Sequence, residues 1–239
     1  MSPQGFASTQ WSIVLAAKDA GSPRAADAMA ALCATYWRPL YAYARRSGRS
    51  VEDAQDLTQG FFSRLLEKDC LQHVDPGLGK FRSFLLASLK NFMAAEWRHD
   101  RAQKRGGTID LVSIQDMTLA EDRYASSLAL GETPERVYER NWALALLERT
   151  TARLEEEFSA AGKRRVFELL KPYLTGDRDL SYAQAAVDLG ISEVTVRVSV
   201  HRMRGRFRDL LQEEVRQTLA DSCDSQAIEE ELRYLLTVL

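Results

Sequence analysis

The sequence is short of helix breakers, thiols and histidines: 239 residues include 6 prolines, 13 glycines, 3 cysteines and 3 histidines. With Leu and Ala filling about a quarter of the positions, that scarcity favours helix throughout, since both residues enter a helix at little cost. Cys33, Cys70 and Cys223 are odd in number and irregularly spaced, which excludes a disulfide framework. His73, His99 and His201 do not stand at ligand spacing from them, so no metal and no cofactor is expected. No apolar run approaches the roughly 18 residues of a membrane span. The start, Met1 to Gly5, lacks the basic and apolar segments of a secretory signal, so a cytoplasmic protein is expected, with no membrane partner. What remains, 45% hydrophobic and 28% charged residues, is enough to bury a core in one large domain or two small ones.

The formal net charge of −2 conceals a segregation of signs. Arg197 to Arg208 holds five arginines and one histidine without an acid, and Lys80 to Arg105 holds seven lysines and arginines against Glu96 and Asp100. The acids gather in Asp110–Glu135 and after Gln212. Two basic elements in a near-neutral chain are the pattern of a nucleic-acid footprint with an acidic counter-surface.

The periodicity predicts an all-α chain of two small helical domains joined by a linker. Residues 1–105 form a first block, in which Ser50 opens a helix with Asp53 three positions on, and Val51, Ala54, Leu57, Phe61 and Leu65 form its apolar stripe. A further helix starts at Phe81, after the turn Asp75 to Gly79. Residues 106–132, opening with Gly106-Gly107, keep no period and read as a linker. Residues 133–212 form the second block, with Thr133 as cap and Pro134 at the first helical position. In residues 213–239, Ile228, Leu232, Leu235 and Leu239 make an apolar stripe beside Glu229, Glu230 and Glu231. Such a helix needs a surface. It is expected to pack on one of the two domains, either restraining access of DNA or capping the second domain.

Within the second block, Ser181 with Gln184 is a capping-box pair, Gly190 suits a left-handed helix end, and Ser192 caps the next segment. Val194 to Val200 alternates like a strand, but Val196, Val200, Met203, Phe207 and Leu210 align only on a helix. The result is a helix-turn-helix. Its second helix offers Arg197 and Arg202 for guanine edges and Thr195 or Val198 for a thymine methyl, with His201 and Arg204 alongside. The other reading of this helix is a solvated basic face.

From Leu180 through Val196-Arg197 to His201-Arg202, from Val51-Glu52-Asp53-Ala54 to Phe61, and from Phe81-Arg82-Ser83-Phe84-Leu85 to Asn91 and Arg98, the chain resembles bacterial RNA polymerase sigma factors of the compact extracytoplasmic-function type. The resemblance implies a sigma region 2 helical bundle at 1–105 and a sigma region 4 helix-turn-helix at 133–212. Thr195, Arg197, Val198, His201, Arg202 and Arg204 would then contact the minus-thirty-five element. Lys90, Asn91, Trp97, Arg98 and Arg101 would contact the minus-ten strand, with His73–Gly79 as the loop that receives a flipped base. Asp53, Gln55, Asp56 and Gln59 would dock on core RNA polymerase, whose clamp and flap regions are the implied partners together with promoter DNA. Gly60 stands where many relatives carry an acid, which implies weaker docking. Thr58, beside the acidic stripe, is a candidate phosphosite for a Ser/Thr kinase, although its place in the apolar arc favours a hydroxyl bonded back to its own helix. An anti-sigma factor is a further candidate partner.

Enzymatic signals are poor. Gly77-Leu78-Gly79-Lys80 lacks the spacing and the following Ser or Thr of a phosphate loop, and His99-Asp100 is an isolated pair. Two other functions remain open: a helix-turn-helix regulator acting without polymerase, and a protein-interaction adaptor whose basic stripes meet acidic proteins.

Overall fold

A computed structural model of the chain describes residues 23–66, 80–100, 121, 124, 131–174, 181–219 and 225–239, without the side chains of 23–29, 31, 66 and 97–100. Among the described residues there are eight α-helices and no strand: α1 (Pro23–Arg46), α2 (Val51–Leu66), α3 (Phe81–Asp100), α4 (Pro134–Ala160), α5 (Arg164–Leu170), α6 (Tyr182–Leu189), α7 (Glu193–Thr218) and α8 (Ser225–Val238). A 3₁₀ turn, Lys171–Leu174, follows α5.

The helix starts form where capping chemistry is available. The Asp53 N–H donates to Ser50 Oγ at 3.0 Å, and the Arg136 N–H to Thr133 Oγ1 at 3.3 Å. Each bond satisfies one of the N–H groups that a first helical turn leaves without a partner. α1 continues through an internal Pro39.

The chain divides into two compact units, one of Met1–Ala145 with Val215–Leu239, the other of Leu146–Glu214. The first is built on a core that includes Tyr36, Tyr41, Phe62, Phe81, Leu85, Leu89, Tyr138 and Trp142. Edge-to-face packing of Tyr36 on Phe81 at 5.4 Å joins α1 to α3. The start of α4 belongs here, not to the second block. The Tyr138 hydroxyl donates to the Arg82 carbonyl at 2.9 Å, and Arg82 Nε donates to Glu139 at 2.9 Å. Glu121 and Tyr124, inside the segment read as a linker, are tied to α1. Arg45 Nε meets Glu121 at 2.8 Å, Tyr41 donates to the same carboxylate, and the Arg45 guanidinium lies 4.6 Å from the Tyr124 ring centroid.

α8 also belongs to the first unit. Of the predicted stripe, Ile228 and Leu235 are buried, Leu232 is half-buried and Leu239 is exposed, while Val238, outside the stripe, is buried. Glu231, one of the acids beside that stripe, is fully buried. It accepts from Arg82, itself only 4% exposed, and from Lys80. The Arg82 guanidinium is further covered by Trp142 at 4.2 Å and Tyr234 at 5.0 Å. A buried carboxylate is tolerated only when it is paired and hydrogen-bonded, and here two cations converge on it.

The second unit has its own core of Leu154, Phe167, Leu170, Tyr173, Ala185, Ala186, Val196, Val200, Met203 and Leu210. Arg153 bridges Glu213 and Glu214 at 2.7 and 2.8 Å, fastening α4 to α7 within this unit.

Candidate nucleic-acid interface

In the second unit the turn between α6 and α7 is set by local chemistry. Ser181 Oγ accepts from the Gln184 N–H, and Gly190 ends α6 at φ 66°, where a Cβ would be strained. The Gln184 side chain does not reach back to complete the box; its amide donates to Asp188 at 3.0 Å. Ser192 then caps α7 through the Thr195 N–H at 3.2 Å. Two helices joined by this turn over one core form a helix-turn-helix, as the spacing of caps and glycine predicts.

The face that α7 turns outward follows from its buried side. Val196, Val200 and Met203 are buried. At 100° per residue the opposite direction runs through Val194, Val198 and Gly205, flanked by His201 and Arg202. All five are exposed, Val194 at 70% and Val198 at 43%. Thr195 is exposed at one flank, where its hydroxyl contacts Ser192 Oγ at 2.8 Å.

The arginines divide into engaged and unengaged groups. Arg197 is fully exposed but bonded to Glu193 at 2.7 Å, which raises its pKa, and its guanidinium lies 5.3 Å from the Tyr182 ring centroid. Arg204 donates through Nε and Nη2 to the Tyr173 carbonyl at 3.0 and 2.6 Å. That bidentate contact ties α7 to the 3₁₀ turn while Arg204 stays exposed. Arg206 pairs with Glu157 at 2.6 Å. Arg202 and Arg208 are exposed, and neither forms an ion pair among the described residues. Sequence reasoning missed Val194. Its signal was its placement opposite the buried valines, which only the outward direction of the helix makes meaningful.

In the first unit, α2 exposes Asp53 and Asp56, with Gln55 and Gln59 half-buried beside them. Thr58 is fully buried and its Oγ1 donates to the Ala54 carbonyl at 2.7 Å. The candidate phosphosite is therefore closed: a kinase could reach the hydroxyl only after α2 opened. Gly60 is not on the exposed acidic face either. A Cβ there would sit 3.4 Å from the Phe92 ring, so the position faces α3.

On α3, Lys90 pairs with Glu135 at 2.7 Å, both about half-exposed, with its Nζ 5.7 Å from the Tyr43 ring centroid. The bond raises the Lys90 pKa and lowers that of Glu135. Asn91 is exposed at a groove of about 240 Å³ between α2 and α3, lined by Phe61, Arg64, Leu65, Phe84 and Phe92 among others. Phe84 and Phe92 are half-buried along this groove. The side chains of Trp97 and Arg98, and all of Arg101 and His73–Gly79, lie outside the described residues. Among the described residues no group of three or more His, Cys, Asp or Glu could hold a metal ion, and no helix is long and apolar enough to cross a membrane.

The fold and this site thus define an all-helical chain carrying a helix-turn-helix with a basic and apolar outer face. Residues 32–103 match the family Sigma-70 region 2. Over 172 residues the chain is 30% identical to the ECF RNA polymerase sigma factor SigE of Mycolicibacterium smegmatis (strain ATCC 700084 / mc(2)155), a match covering 72% of this chain and 57% of that protein. Both findings support an ECF-type sigma factor. No solved structure matches the chain.

Proposed function

We propose that the chain is a cytoplasmic sigma factor of the extracytoplasmic-function type, binding core RNA polymerase and directing it to promoters. One observation carries this reading: a segment matching Sigma-70 region 2 stands in the same chain as a helix-turn-helix with an exposed basic and apolar recognition face. The polymerase performs the chemistry, and this chain supplies no catalytic step of its own.

Each part has a role in the proposal. Asp53 and Asp56, exposed with Gln55 and Gln59 beside them, meet the polymerase clamp; opposite charge at such a surface favours encounter and fixes register. The N-terminal half of α7 enters the major groove of the minus-thirty-five duplex, where Val198, His201 and Arg202 face bases or backbone and Arg197 and Thr195 stand at the flanks. The stripe Lys90, Asn91, Trp97, Arg98 and Arg101 follows the separated minus-ten strand, with Lys90 exchanging the Glu135 carboxylate for a phosphate. The domain assignment, region 2 at 1–105 and region 4 at 133–212, belongs to this proposal; compactness divides the chain differently, at Ala145/Leu146 and Glu214/Val215.

The test is gel filtration of the full chain with sigma-free core polymerase, beside a variant carrying Asp53→Lys and Asp56→Lys. Co-elution that the variant loses supports the reading and its docking face together. A chain that elutes apart from polymerase yet binds duplex DNA is a helix-turn-helix regulator instead.

A further inference from the structure

The outward centre of α7 is apolar where a DNA-reading helix is usually polar. We propose that Val194 and Val198 are specificity-determining residues that read the C5-methyl groups of thymines in the upstream promoter duplex. The proposal rests on the reading of α7 as the recognition helix.

Val194 and Val198 are one turn apart on the line opposite Val196, Val200 and Met203, so both project away from the core of their own unit. Nothing in the second unit covers them: they are 70% and 43% exposed. Val187, at the end of α6, and Ile191, in the turn, are exposed as well. In a helix-turn-helix the first turns of the second helix are the ones that reach base edges. On the major-groove edge of B-DNA the apolar group is the thymine methyl, and every other recognisable feature is a hydrogen-bond donor or acceptor. A valine can offer nothing to those donors and acceptors, and burying them against it would leave them without partners. It matches a methyl. Its β-branched side chain is also nearly fixed in a helix, so little rotamer freedom is lost on contact.

The surrounding charge fits the same occupant. Arg197, Arg204 and Arg206 are engaged by Glu193, the Tyr173 carbonyl and Glu157. Arg202 and Arg208 are exposed without an ion pair among the described residues, and they supply positive charge toward phosphates beside the apolar ridge. Gly205, the next outward position along the ridge, has no atom within 4 Å of where its Cβ would stand, and without a side chain it admits a close backbone. Beside any hydrogen bonds from Thr195, His201 and Arg202, discrimination by methyl contact falls to the two valines.

The experiment uses the full chain bound to core polymerase. Tight-binding promoters are selected from a duplex pool randomised upstream, and the thymines of the protected upstream element are then replaced by deoxyuridine. That change removes methyl groups and leaves every hydrogen-bonding atom in place. Burial of one methyl predicts a loss of about fourfold in affinity, and two contacted methyls a loss of about fifteenfold. A Val194→Ala, Val198→Ala variant, altered only at exposed positions, should bind the thymine and deoxyuridine duplexes alike. If wild type binds both duplexes equally, or if the double variant still discriminates between them, the inference is overturned while the sigma-factor reading stands. Failure to protect any upstream duplex overturns both.

Discussion

Replacing Glu231 by Ala should destabilise the first unit by about 3 kcal/mol, a figure that follows from its surroundings. Deleting one member of a buried pair costs about 3–5 kcal/mol, because the partner stays buried and uncompensated. The low end applies here. Arg82 keeps Glu139 at 2.9 Å, and Lys80, whose side chain is 42% exposed, can recover water. Trp37 and Trp142 are buried in the first unit and residues 146–214 contain no tryptophan, so tryptophan fluorescence during urea unfolding reports the first unit selectively. With a slope of about 2 kcal/mol per molar urea, the midpoint should fall by about 1.5 M. The control is Glu229→Ala, whose i,i+4 pair with Arg233 is exposed on both sides and should be worth less than about 0.5 kcal/mol. A double variant, Arg82→Met with Glu231→Leu, should recover part of the loss, because the fully buried pair is removed together, although Glu139, 17% exposed, then loses its cation. Equal midpoints for the Glu231 and Glu229 variants would refute the reasoning and place Glu231 in contact with water.

Three other outcomes are expected. Thr58→Ala should cost about 1 kcal/mol or less in thermal melts, whereas Thr58→Glu, which buries a carboxylate without a partner, should unfold the first unit instead of mimicking phosphorylation. Gly60→Ala should raise stability by up to about 1 kcal/mol, since its methyl meets Phe92 only at contact distance; a lower midpoint would show that Phe92 cannot give way. The Arg45 hydrogen bond, aided by Tyr41, holds Glu121 below the usual carboxylate range. Its stabilisation is therefore complete above the unfolded carboxyl pKa and is lost as pH falls through the lower folded value, so acid titration of a Glu121→Gln variant should show a shallower loss than wild type.

What could be read from the sequence was what local chemistry decides. Ser181, Gly190 and Ser192 act within a few residues of themselves, and the helix-turn-helix follows from them. The four-and-three spacing of Val196, Val200, Met203, Phe207 and Leu210 settled helix against strand because it extends beyond the alternating stretch. What escaped were residues whose partners are distant. Glu231 shares an arc with Val238, three residues from Ile228, yet an acid there reads as solvent-facing until Lys80 and Arg82 supply the compensating charge. Arg204 gives no sign in the sequence of its bond to the Tyr173 carbonyl, 31 residues away. The apolar stripe of α8 announced a need for a surface without saying which. Gly60 stands, by resemblance, where relatives carry an acid, and only the approach of α3 shows that it faces an aromatic ring.

The placement of α8 bears on how the protein is made. Glu231 lies 149 residues after Arg82, and the whole second unit is synthesised between them. During translation the first unit must therefore wait, with Arg82 short of one carboxylate and the surface beneath Ile228 and Leu235 uncovered, while the second unit, formed from one continuous stretch, can close without delay. The part of the chain that emerges first is thus the last to finish folding. Until α8 has been made and docked, that surface is open to the apolar contacts that lead to aggregation.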